Sequence, residues 1–199
     1  MTFPVLSPGQ GVIRTDRLLL RPWRDADREP HAAMNADPAV MEHFPGTMSR
    51  QLSDEMFDLV QAHWAELGWG LWAAEIPGEA SFIGFVGIAR QNAPGHPVVE
   101  VGWRLARAFW GRGYATEAAE RALALGFDTL GLDEIVSFTV PQNTRSRAVM
   151  ERIGMHRDAV DDFDHPRIDP LRYPQLVRHV LYRLTQREWQ ARHVQEQSA

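Results

Sequence analysis

The chain has 199 residues, 44% hydrophobic and 24% charged, with a formal net charge of −5 at pH 7; one α/β-sized domain with a proper core fits that length. Cysteine is absent and so is lysine, every one of the 21 basic residues being arginine. This excludes disulfides, thiolate nucleophiles, Cys-ligated zinc, Schiff-base lysines and a lysine-dependent P-loop, and the mild acidity argues against a nucleic-acid partner.

Residues 1–13, with two Pro and two Gly, read as a loose leader without the basic and apolar regions of a signal peptide. Residues 17–23 form a short apolar run stopped by Pro22, which fits a buried strand. Asp25 is placed to cap a helix reaching Met34, and Asp37-Pro38 repeats that signal for a second. Leu52, Met56, Leu59, Val60, His63, Trp64 and Leu67 then recur at helical spacing, predicting one apolar face that Gly68 and Gly70 end.

From residue 71 the period changes to two. Residues 71–76 and 82–89 read as a hairpin around Pro77-Gly78. A loop over 91–97, containing Pro94, leads to a strand over 98–105. There Val99, Val101, Trp103 and Leu105 share one face, and Glu100, Gly102 and Arg104 the other. A Gly-containing loop precedes a helix over 116–127, and 134–140 is a strand rich in β-branched residues. Asn143 caps a further helix that Gly154 closes. After a polar connection over 158–164 comes a last strand over 179–184, and from Gln190 a polar tail is expected to fray. No apolar stretch approaches the ~20 residues a membrane span needs, so a cytoplasmic protein is expected.

The loop between the 98–105 strand and its helix carries the densest chemistry. Gly111 and Gly113 let the backbone approach a ligand, the following helix offers its positive end to anionic oxygens, and Arg112 adds a charge. On the two glycines alone, a tight turn with no ligand is the favoured account. The dinucleotide fingerprint is incomplete, because Thr116 stands where its third glycine belongs. The acidic run 161–165 lacks metal-loop spacing and reads as a solvated loop, so no metal is expected.

Trp110-Gly-Arg-Gly-Tyr-Ala115 resembles the acyl-CoA loop of the Gcn5-related N-acetyltransferases (the GNAT superfamily), whose pattern is Gln/Arg-x-x-Gly-x-Gly/Ala. Ala115 meets the last position. Trp110 departs from the first, and is typical of the RimJ/RimL-like branch that acetylates ribosomal-protein N-termini. Thr15-Asp-Arg-Leu-Leu-Leu-Arg-Pro-Trp23, Glu100-Val-Gly-Trp-Arg-Leu105 and the segment from Asn143 to Met155 are similar to the same branch. The likeness covers residues 14–189, the expected domain.

The resemblance implies a mixed, mostly antiparallel sheet of about six or seven strands with about four helices, and a splayed strand pair holding acyl-CoA. Acetyl-CoA is the implied donor and a primary amine the acceptor, either a small molecule or a protein N-terminus. The protein is expected as a monomer or homodimer. Pantetheine would lie along Val101, Trp103 and Leu105, and the diphosphate over Trp110, Gly111, Arg112, Gly113, Tyr114, Ala115 and Thr116. Asn143 would reach the pantetheine arm, or serve as a plain helix cap. Glu100 matches the position of a general base, against a plain strand glutamate beside Arg104. Met150 stands where many relatives carry a Tyr acid, which leaves Ser146 to assist the leaving thiolate or merely to complete the cap. The same Met150 motivates an alternative, a non-catalytic acyl-CoA-binding domain. Without Cys there is no acetyl-thioester on the enzyme, so transfer is expected to be direct. Without Lys, Arg112 is expected to carry the loop's side-chain charge alone.

Overall fold

The computed structural model describes residues 11–93 and 95–196. The expected leader as far as Gln10, Pro94 and the last three residues of the expected tail lie outside the described residues.

Among the described residues, nine strands form an open sheet: β1 (Ile13–Arg14), β2 (Leu19–Arg21), β3 (Leu71–Ile76), β4 (Ala80–Gln91), β5 (Val98–Leu105), β6 (Glu134–Thr139), β7 (His156–Arg157), β8 (Phe163–Asp164) and β9 (Arg178–Thr185). The order is β1-β2-β3-β4-β5-β6-β9-β7, with β8 also on β9. Three of these strands have only two residues, which accounts for the excess over the number expected. Every pairing is antiparallel except β5 with β6.

Among the described residues six α-helices accompany the sheet: α1 (Arg28–Asn35), α2 (Arg50–Leu67), α3 (Tyr114–Ala124), α4 (Thr144–Arg152), α5 (Pro174–Val177) and α6 (Gln186–Glu196). Residues 190–196 of the expected tail thus continue α6 instead of fraying. No helix among the described residues is long and apolar enough to cross a membrane.

Alternation along β4 and β5 divides the core in two. On one face Val99, Val101 and Leu105 join Tyr114, Ala118, Ala122 and Phe127 of α3 and its extension, with Met150 and Ile153 from the α4 region. On the other face Phe82 and Phe85 join Trp23, Met34, Phe57 and Val60. The Trp23 ring meets His31 at 4.9 Å and Phe57 at 5.1 Å, edge to face, so α1 and α2 are locked onto this side by aromatic packing.

Two expectations change here. The buried side of α2 is Ser53, Phe57, Val60 and Leu67, while Leu52 and Leu59 are 53% and 72% exposed. Val60 and Leu67 of the expected stripe are thus buried and Met56, His63 and Trp64 half-buried, while its edge shifts from Leu52 and Leu59 to Ser53 and Phe57, where the Trp23 ring packs. The helix expected at Asp37-Pro38 is a set of turns in which Asp37 Oδ1 accepts the Ala39 amide at 2.8 Å.

Candidate active site

Parallel strands β5 and β6 are paired at one position only, Glu100 with Val136. On its other side β5 pairs with β4 along its whole length, from Gln91–Val98 to Gly84–Leu105, without a register shift. The Ala106 amide donates to the Ile83 carbonyl at 2.9 Å just beyond that ladder. Antiparallel pairing alternates bonded and non-bonded positions, so this bond sets the phase. Glu100, Gly102 and Arg104 turn their backbone groups to β4; Val101, Trp103 and Leu105 turn theirs toward β6. The Leu105 carbonyl, accepting Trp110 Nε1 at 2.7 Å, agrees with that phase. Beyond Glu100 the two strands part, and the β5 edge from Val101 to Leu105 borders a wedge. Side chains of Val101, Trp103 and Leu105 meanwhile pack on the α3 side.

The opposite face of β5 carries Glu100, Gly102 and Arg104. Burial pushes the Glu100 carboxyl up to about 8, against the Arg167 charge and a Gln91 side-chain hydrogen bond that favour the anion. Arg167 Nη2 donates to Gln91 Oε1 at 3.3 Å, and both residues line an open cavity of about 680 Å³. A side chain added at Gly102 would meet only the Glu100 carboxyl, at 3.9 Å, so the strip beside Glu100 is bare.

At the far end of the wedge lies the glycine loop. Gly111 and Gly113 have φ of +73° and +80°, a region that favours glycine. Gly113 is the residue before α3 and has no side chain with which to cap it. The amides of Tyr114, Ala115 and Thr116 therefore open toward the loop, at the positive end of the helix. Arg112 is exposed, with Nη1 3.7 Å from Glu79 Oε1.

The loop is held from outside by a residue to which the sequence assigns no role. Arg17 Nη1 donates to the Arg112 carbonyl at 2.8 Å, Nε donates to Glu117 at 2.6 Å, and the guanidinium lies 4.7 Å from the Tyr114 ring. Arg145 covers the Trp110 ring at 4.5 Å. Arg17 and Arg145 thus stand beside Arg112 against the loop, a correction to the expectation that Arg112 carries its charge alone. The only signal for Arg17 in the sequence was its place in the Thr15–Trp23 motif.

Asn143 Oδ1 accepts the Ser146 amide at 3.2 Å, and its Nδ2 donates to Thr139 Oγ1 at 3.0 Å. The cap is made, at the mouth of the wedge where β6 ends. Ser146 is half-buried on the first turn of α4, and its hydroxyl makes no hydrogen bond among the described residues. Met150 is fully buried in the core. The phenol of Tyr182 donates to Glu151 Oε1 at 2.9 Å and accepts from Arg147 at 3.3 Å, so it is already engaged. The acids of the 161–165 run pair with arginines: Asp162 with Arg157, Asp161 with Arg183 and Asp164 with Arg178.

Residues 17–156 match the acetyltransferase (GNAT) domain. The chain belongs to the GNAT family. YkkB of Bacillus subtilis (strain 168) is 34% identical over 143 residues, 71% of this chain and 83% of that protein. The FsC-acetyl coenzyme A-N(2)-transacetylase of Aspergillus fumigatus is 31% identical over 159 residues, 73% of this chain and 65% of that protein. Among solved structures, an acetyltransferase from Agrobacterium tumefaciens str. C58 superposes with a TM-score of 0.72 at 32% identity, covering 90% of this chain and 96% of its own. As a GNAT acetyltransferase this chain is an enzyme of the N-acetyltransferase class, and its sheet is the mixed, mostly antiparallel one expected.

Proposed function

We propose that this GNAT enzyme transfers acetyl directly from acetyl-CoA to a primary amine within a ternary complex. The wedge that opens at Glu100 and Val136, ending on the uncapped amides of α3, carries the reading. Backbone groups of Val101, Trp103 and Leu105 offer pantetheine a strand edge. The amides of Tyr114, Ala115 and Thr116, with Arg112, offer the diphosphate a dipole and a charge. Trp110, Gly111, Gly113 and Asn143 shape the two ends of that path.

Acetyl-CoA supplies the activated thioester; this chain's groups manage protons and charge. Glu100 takes the proton of the attacking amine, whose own pKa near 8 needs only a modest base. Wedge-edge amides of β5 face the carbonyl oxygen as it gains charge. As the C–S bond breaks, the Ser146 hydroxyl donates to the departing thiolate, which at a thiol pKa near 8.5 needs no strong acid. The acceptor is a small-molecule amine or a protein N-terminus, the latter favoured by the motifs similar to the RimJ/RimL-like branch.

The test is release of free CoA from acetyl-CoA with a panel of amines and N-terminal peptides, beside a thermal-shift titration with acetyl-CoA. Ligand at 100 times its dissociation constant adds about 2.7 kcal/mol to the fold. Amine-dependent release supports the reading. A shift without release by any amine would make this an acyl-CoA-binding domain instead.

A further inference from the structure

On the Glu100 face of β5 one charge has no answer among the described residues. Arg104 Nη1 donates to Asn35 Oδ1 at 2.7 Å and lies 4.0 Å from Met56 Sδ. Its Nε is buried without a hydrogen-bond partner. Nη2 donates to no atom among the described residues, and none of their carboxylates pairs with this guanidinium. The rings of Phe44 and Phe85 lie 4.4 and 5.4 Å from it. Burial alone pulls its pKa down to about 10.

The side chains behind Arg104 are neutral, and the carboxylates that act on His31, Asp27 and Asp54, pair with Arg21 and Arg50 instead. Asn35 Nδ2 faces His31 Nε2 at 2.9 Å and donates to Ser53 Oγ at 3.2 Å. The His31 imidazole is held to about 4, first by burial and then by Arg104 itself, and so is uncharged at neutral pH. A buried cation met only by amide dipoles and rings is costly, and a hydrogen-bonded anion is what would offset it. Asn35 occupies Nη1 and Nε is covered by the protein, which leaves Nη2 as the atom that can donate to a carboxylate.

Glu100 and Arg104 sit four residues apart on one strand face, about 13 Å between Cα atoms at strand rise. Between them lies only Gly102, where an added Cβ would meet nothing nearer than the Glu100 carboxyl. This is a bare floor with a base at one end and an unanswered cation at the other. We propose that Arg104 selects the acceptor by binding a carboxylate carried by the amine that Glu100 deprotonates, so that preferred acceptors are primary amines with an acidic arm.

This inference rests on the transferase reading, and the experiment separates the two. Wild-type kcat/KM is measured for ω-amino carboxylates of increasing chain length, each against its carboxamide. Short peptides differing only as Asp against Asn behind a free N-terminus form a second arm, which distinguishes free amino acids from protein termini. At the best length or position the acid is expected to exceed its amide by about 10-fold or more, the scale of a hydrogen bond to a charged group. In Arg104→Met that ratio should fall to near one while the acetyl-CoA thermal shift persists, and Arg104→Lys should retain part of it. Equal use of acids and amides by the wild type overturns the inference and leaves the transferase standing. So does an acid preference that survives in Arg104→Met. If no amine is acetylated at all, both fail.

Discussion

Glu100 and Val136 are the single register pair that joins β5 to β6. That one register pair turns two neighbouring strands into a wedge and sets the proposed base at its apex. The site follows from this junction: a strand edge on one side, the start of α3 at the end, and a bare glycine floor beneath the acid.

Activity should follow the Glu100 carboxylate. With a pKa of about 8, kcat/KM is expected to rise with pH and level off above that value. Glu100→Gln should lower turnover by about 10²–10⁴-fold and flatten the profile, with little change in acetyl-CoA affinity. A pH–rate series on both proteins checks it.

The same group predicts a stability slope of opposite sense. The folded state holds the Glu100 proton up to about 8, whereas the unfolded chain releases it near the ordinary carboxylate value. Between those limits the native state binds more protons, so this group's contribution falls as pH rises and stops falling above about 8. Glu100→Gln removes that slope. Its Tm relative to wild type should therefore increase from pH 5 to pH 8.

Loop mutations separate binding from folding. Gly113→Val places a side chain at φ +80°, against Arg17 at 3.3 Å, and should cost about 1–2 kcal/mol of backbone strain. The chain should remain folded by circular dichroism and lose its thermal response to acetyl-CoA. Arg17→Ala, which releases the Arg112 carbonyl and Glu117, should raise the KM for acetyl-CoA several-fold and leave kcat close to wild type.

The α4 cap offers a graded pair. Asn143→Ala removes the bond to the Ser146 amide and should cost about 0.5–2 kcal/mol of stability, together with weaker acetyl-CoA binding. Ser146→Ala keeps that cap and should lower turnover more than affinity. Denaturant melts and initial rates distinguish them.

Packing of α2 can be tested without reference to function. Phe57→Ala should cost about 3–5 kcal/mol, since the ring is fully buried beside Trp23. Leu59→Ala, at an exposed position, should stay within about 0.5 kcal/mol of wild type.

One edge of the α2 face escaped the sequence. Val60 and Leu67 are buried as expected, but Leu52 and Leu59 extend that stripe as regularly as Phe57 does, and period alone cannot rank the two edges. Contact with Trp23 and Phe85, distant in the chain, decides between them. The alternation of β5 was legible because each face meets a different core, and the loop was legible because Gly111 and Gly113 mark a conformation few residues adopt. Arg17 and Arg104 were not legible in role. Arginine reads as surface by default, and their partners Glu117 and Asn35 lie 100 and 69 residues away. The phase of the free β5 edge is likewise a property of the ladder with β4, absent from local pattern.

The claim on which the rest depends is that the wedge beyond Glu100 and Val136 holds the donor. Hydrogen–deuterium exchange, resolved by residue with and without acetyl-CoA, reads it directly, because an added strand-like ligand shields the amides it pairs with. Exchange should slow at Trp103 and Leu105 on the β5 edge and at Tyr114, Ala115 and Thr116 at the start of α3. Acetyl-CoA binding that leaves all five unchanged, with protection elsewhere, would contradict the account.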